Sequence, residues 1–185
     1  ADAGVARSSP RLMGVLTIWN LFVGAGWIAG PFFAAGSASW PLAWIHLAVL
    51  VAGATAQRAW VSRHNPELAR HRRVIGAGTR RWDVAWNLLF WPLMASIAIL
   101  AGLDKRAGGP SLPAFLWPVG LLAYAAAMAL SSWAMGVNPH FEGTARIQTE
   151  RDHRVVEAGP YRFVRHPGYA ALCLWALATP LLLCS

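Results

Sequence analysis

The chain has 185 residues, 56% of them hydrophobic and only 13% charged, with eleven tryptophans and a net charge of +8. That length suits one domain and not comfortably two, and soluble domains carry about 25% charged residues, so the shortage of charge points to a membrane. The basic balance does not imply nucleic acid, because the charges fall between apolar segments, with no basic face and no RNA- or DNA-binding motif.

Five apolar segments are predicted as the helices of an all-α, polytopic transmembrane bundle forming a single membrane domain over 1–185. They cover about 12–35, 40–60, 82–103, 112–137 and 169–184. A bilayer core of about 30 Å needs about 20 helical residues, so four segments qualify and the fifth is marginal. The first is too long for a signal-peptide core and lacks a small-residue cleavage site, so it is read as a retained helix. Gly24, Gly26 and Gly30 on it allow close helix contact. Pro31, Pro92 and Pro118 are candidate kinks, tolerated where neighbouring helices satisfy the freed carbonyls.

The connections set the orientation. Segments one and two are joined by "GSAS", without charge, and segments three and four by "DKRAGGP", with two basic residues. The remaining fourteen basic residues lie at the N-terminus and in the loops 61–81 and 138–168 or at their edges. An excess of arginine marks the cytoplasmic side, so the N-terminus and both long loops are expected there. Arg70, Arg72 and Arg73 would meet anionic lipid headgroups, and His64 and His71 would be solvated beside them.

Polar residues inside the spans are read mostly as structural. His46 is a candidate haem ligand or proton relay, but with no second histidine at its depth a hydrogen bond is the simpler role. Asn20 and Asn87 are expected to bond between helices, and Asp83 to pair with Arg80 or Arg81. The tryptophans suit an interfacial belt. Cys173 and Cys184, eleven residues apart on one helix, are about 16 Å apart and cannot form a disulfide. No cysteine or histidine spacing suggests a metal site.

The stretch "VVEAGPYRFVRHPGYAALCLW", 155–175, sets two arginines, a histidine and two tyrosines against the fifth span. Gly159-Pro160 predicts a turn, and "HPGY" predicts a helix start with Pro167 at the first helical position. A helix N-terminus offers free N–H groups and a positive dipole end to an anion. Arg162 and Arg165 add charge, while Tyr161, His166 and Tyr169 offer flat rings and polar edges. Arginine and tyrosine beside a span also serve as interface anchors, and residue types alone favour that role. The order Gly-Pro-Tyr, Arg-His-Pro, Tyr favours a site.

That order, carried by Gly159, Pro160, Tyr161, Arg165, His166, Pro167 and Tyr169, resembles the membrane methyltransferases that include isoprenylcysteine carboxyl methyltransferase and the phospholipid methyltransferases. "NPELARHRRVIGAGTRRWD" and "NPHFEGTARIQTERDHRVV" extend the resemblance to the bacterial isoprenylcysteine methyltransferase-like branch, over about 60–183. It implies a helical enzyme of the bacterial inner membrane using S-adenosylmethionine, with a lipid-like acceptor entering from the bilayer. His166 and Tyr169 would contact the cofactor and Arg165 a carboxylate. Gly159, Pro160 and Tyr161 would shape the loop, and Pro167 would start the helix; no catalytic residue is assigned.

Members of that family continue past the equivalent of "PLLL" into another apolar stretch and a tail with an acidic "E-E-x-x-L"-like motif, whereas this sequence stops at "LLLCS". The departure motivates an alternative from another class: a non-catalytic subunit of a larger membrane complex built on a truncated methyltransferase-like fold. A sterol-reductase-like enzyme using NADPH is disfavoured, since 185 residues leave no room for that family's larger helix set.

Overall fold

The computed structural model describes residues 10–71, 81–109, 111–143, 148 and 152–185, with side chains from Ile18 onward except at 20, 71 and 81. Among the described residues there are six α-helices: α1 Pro10–Ala35, α2 Pro41–His64, α3 Pro66–His71, α4 Arg81–Ala107, α5 Leu116–Val137 and α6 Pro167–Leu183. Among the described residues there is no strand. Pro41–His64, Trp82–Ala107 and Leu116–Val137 are long and apolar enough to cross a membrane, and the apolar parts of α1 and α6 are shorter. The molecule is a helical membrane bundle.

The long helices alternate in direction. One end carries the α2–α4 and α5–α6 connections and is called the basic-loop end here; the other carries the short connections. Proline opens α2, α3 and α6 at the first helical position, where its missing N–H is not needed. Pro118 falls in the first turn of α5 and is harmless for the same reason. α5 begins four residues later than the apolar run, because Leu112–Phe115 form a turn in which Leu112 N–H donates to the Cys184 carbonyl at 3.0 Å.

α2 runs one turn past its apolar run and stops at Asn65-Pro66. Asn65 acts twice: its Oδ1 accepts the Leu68 N–H at 3.0 Å, capping α3, and its Nδ2 donates to the Met135 carbonyl of α5 at 2.9 Å. Leu68, fully buried with Val61 and Met135, fastens α3 under that end.

Except for α5 and α6, the long helices pack on partners that are not their chain neighbours. α1 lies against α4, α2 against α5, and α5 against α6, while α1 barely touches α2. The α1–α4 contact is close because Gly102 faces the α1 backbone, where a Cβ would stand 2.4 Å from the Pro31 carbonyl oxygen. Among the described residues α4 makes no extended contact with α2 or α5, so a gap opens between the α1–α4 pair and the α2–α5–α6 group.

Several expectations meet the structure differently. Asn87 bonds not to another helix but to the Asp83 carbonyl of its own, at 3.0 Å, and to the Gly143 carbonyl of the loop after α5, at 3.4 Å. The buried His46 leaves its Nε2 without a hydrogen-bond partner. His64 ends α2, stacked on Trp60 at 3.7 Å with Nδ1 at 2.9 Å from the Trp60 carbonyl. The expectations for Arg72, Arg73, Arg80 and the side chains of Asn20, His71 and Arg81 lie outside the described residues.

Candidate functional site

The gap is a cavity of about 1170 Å³ on the basic-loop half of the bundle. Its rim is built by the "GPYRFVRHPGY" segment and the loop after α5. Gly159–Arg162 make a single 3₁₀ turn, with Gly159 at φ 60°, the left-handed region where a side chain is strained. Pro160 is fully buried beneath it. Gly159 packs onto α5, where a Cβ would meet Trp133 Nε1 at 3.0 Å and Val137 Cγ atoms at 3.2 Å. The turn is therefore seated on the last helical turns of α5, and Tyr161 is carried to the cavity wall.

His166 precedes α6 and its carbonyl accepts the N–H groups of Tyr169 and Ala170 at 3.0 and 3.1 Å. Pro167, the first residue of α6, is buried. Gly168 leaves room for Phe141, whose ring would lie 2.7 Å from any Cβ placed there. Of the seven residues singled out in the sequence, Tyr161, Arg165, His166, Pro167 and Tyr169 line the cavity together. Gly159 and Pro160 do not line it; they form the support behind Tyr161.

A hydrogen-bonded layer holds this rim. Asn138, just past α5, donates from Nδ2 to Tyr161 Oη at 2.8 Å and accepts the His140 N–H on Oδ1 at 2.9 Å. The buried Gln148 donates from Nε2 to the His140 carbonyl at 3.0 Å, and its backbone N–H donates to His153 Nδ1 at 3.2 Å. The His140 and His153 rings stack 4.6 Å apart, 11° from parallel. Burial pushes the Tyr161 phenol above its ordinary value near 10, and the bond from Asn138 pulls it partly back.

Below the rim the walls become apolar: Phe90 and Trp91 of α4, Leu50 and Ala54 of α2, Met128 of α5, and Leu172 of α6. Gln57 of α2 and Ser131 of α5 interrupt them at a similar depth, and the Gln57 Nε2 is buried without a hydrogen-bond partner. Carboxylates of Asp83 and Glu142 stand on the same lining as Arg165.

Residues 120–185, covering α5, the rim and α6, match the sequence model of the isoprenylcysteine carboxyl methyltransferase (ICMT) family. The chain is ICMT-like over its C-terminal third. Two rice proteins, from the indica and japonica subspecies and each described as a probable protein-S-isoprenylcysteine O-methyltransferase, are each 40% identical to it over 45 residues, 24% of either chain. Protein-S-isoprenylcysteine O-methyltransferase B of Arabidopsis thaliana is 33% identical over 45 residues, 24% of this chain and 23% of its own. The matched stretch thus spans about a quarter of the length of these curated plant relatives. No solved structure matches.

Sequence reading missed the opposite wall. Trp82, Trp86 and Phe90 recur every four residues on α4, a helical face that the belt interpretation absorbed. Asn138, His140 and His153 carried the resemblance without a role. Their signal was the "NPHF" that closes α5, since an Asn placed after a helix readily bonds the backbone two residues on.

Proposed function

We propose that the ICMT-like segment forms the methyl-donor side of an S-adenosylmethionine-dependent methyltransferase acting on a lipid-like, membrane-embedded acceptor, with the basic loops cytoplasmic. The observation that carries this reading is the cavity's polarity gradient: Tyr161, Arg165, His166 and Tyr169 at its rim, and an aliphatic and aromatic slot beneath them. The isoprenylcysteine named in the relatives' descriptions has that shape, a carboxylate on an apolar tail.

The donor set fits the cofactor. The methionine portion carries a carboxylate and an ammonium, the sulfur is cationic, and the adenine is flat. Arg165 suits the carboxylate, Asp83 and Glu142 supply negative charge on the same lining, and His166 and Tyr169, with ring centroids 5.7 Å apart, offer faces and edges to the base. When bound, the cofactor supplies an activated methyl group and needs no covalent help from the protein.

The chain's own contribution is then positional. The 3₁₀ turn seated on α5 fixes Tyr161, Asn138 holds its phenol, and the apolar walls keep water from the lower cavity. Holding two reactants in line and excluding solvent is worth several orders of magnitude in rate. The test is binding of S-adenosylhomocysteine to detergent-purified protein by calorimetry, beside His166→Ala and Arg165→Gln. Micromolar binding that weakens at least about tenfold in each folded variant, as loss of a charge-assisted or stacking contact predicts, supports the reading. No binding by well-folded protein refutes it.

A further inference from the structure

On four of the five helices that line it the cavity ends at one level, while on α4 the lining stops higher, at Trp91. Its deepest lining residues on four helices are Trp27 of α1, Leu50 of α2, Tyr124 of α5 and Trp175 of α6. They stand eight, nine, eight and eight residues from the helix ends opposite the basic loops, which is about 12 to 14 Å at a rise of about 1.5 Å per residue. A passage through the bundle would be lined down to those ends. A common depth on four helices describes a floor.

Beneath it lies packed core. Tyr124 and Trp175 form a buried cluster with Ala127, Ala178 and Leu182, and Trp27, Leu50 and Trp117 pack against it. The Trp27 and Trp175 rings meet with centroids 4.9 Å apart. Tyr124 is seated beside them because Gly53 has no side chain: a Cβ there would lie 2.6 Å from the Tyr124 Oη. Rings pinned in this way do not yield to a chain pressing from above, because close-packed interiors resist added volume.

From floor to rim the distance is eight residues along α6 and thirteen along α5, about 12 and about 20 Å. An extended hydrocarbon chain advances about 1.25 Å per carbon, given C–C bonds of about 1.5 Å at tetrahedral angles. The slot therefore takes a tail of about 10 to 16 backbone carbons. We infer that Trp27 and Trp175 are specificity-determining residues that set an upper limit on the acceptor's tail length. The inference rests on the lipid-like acceptor proposed above and adds a length rule to it.

The test is competitive binding in lipid nanodiscs read by native mass spectrometry, with N-acetyl-S-alkylcysteines of graded linear tails, eight to twenty carbons, offered in pairs. Nanodiscs place every tail in lipid before it binds, so the common gain on leaving water cancels. The wild-type protein should bind tails up to the limit about equally, then lose about tenfold within the next four carbons as the end meets the floor. Trp27→Leu, at a half-buried position on α1, should move the break about three carbons longer. Ala54→Phe, one helical turn above Leu50 and exposed on α2, should move it about four carbons shorter and serves if the tryptophan variant does not fold.

A wild-type profile without a break up to twenty carbons overturns the inference, as does a break that neither folded variant shifts. Wild-type binding of S-adenosylhomocysteine, measured in parallel, separates the two claims. A break without cofactor binding removes the methyl-transfer reading and leaves the floor; cofactor binding without a break does the reverse.

Discussion

Gly159→Ala is the sharpest perturbation of the rim. A non-glycine residue at φ 60° costs about 1–2 kcal/mol. The new methyl would also lie 3.0 Å from Trp133 Nε1 and 3.2 Å from the Val137 methyls, which overpacks a seated turn by about 1–3 kcal/mol. The expected loss is about 2–5 kcal/mol, large against the 5–15 kcal/mol of an ordinary domain. Unfolding in a graded denaturing detergent measures it. Trp133→Phe separates the two causes, because it removes the indole edge that the methyl meets and leaves the dihedral. In a double-mutant cycle the pair should couple by about 1 kcal/mol or more. A Gly159→Ala loss under 0.5 kcal/mol, or no coupling with Trp133→Phe, would refute the claim that the turn is seated by contact with α5.

Asn138→Ala removes two hydrogen bonds, at 2.8 and 2.9 Å, and should cost about 2 kcal/mol in the same assay while weakening S-adenosylhomocysteine binding. Tyr161 is held above its ordinary value near 10 when folded, so its contribution to stability is whole below pH 10 and is lost as pH rises through the raised value. In Asn138→Ala the lowering hydrogen bond is gone, so that loss should extend to higher pH, followed by phenolate absorbance in a chain with a single lysine. Gln57→Met removes an unpartnered buried donor and should raise ligand-free stability by about 1 kcal/mol; a fall would mean the amide is satisfied after all. Gly120→Ala would set a methyl 2.7 Å from Leu181 Cβ and 3.0 Å from the α6 backbone, and should cost about 1–3 kcal/mol by thermal unfolding.

The helical bundle was legible because hydropathy and proline punctuation agree. "HP" at 166–167 opens α6 as expected, and Gly159-Pro160 turns as expected. Helix ends were less legible. α2 outruns its apolar segment through Val61–His64, since Arg63 is a good helix former that keeps its charge in water while its stem lies along the helix. α3 was invisible because one buried leucine in a basic loop gives no periodicity. The candidate rim could be read because its residues are contiguous in the sequence. The α4 wall could not, because tryptophan near a membrane surface serves belts and cavities alike. Nothing in the described contacts explains the unpartnered Nε2 of His46.

The habit of skipping neighbours bears on how the bundle is made. A chain threads into the bilayer in order of synthesis, so α1 arrives before α4, the helix it packs against, and α2 arrives before α5. Until then α1 and α2 stand side by side with little mutual contact. The contact between chain neighbours α5 and α6 is the most extensive among the described residues, and it forms only after α6 has emerged. The candidate rim therefore comes into being only once α6 has followed α5. A ribosome-stalled chain that ends before Pro167 should be inserted, unfinished and open to quality-control proteases.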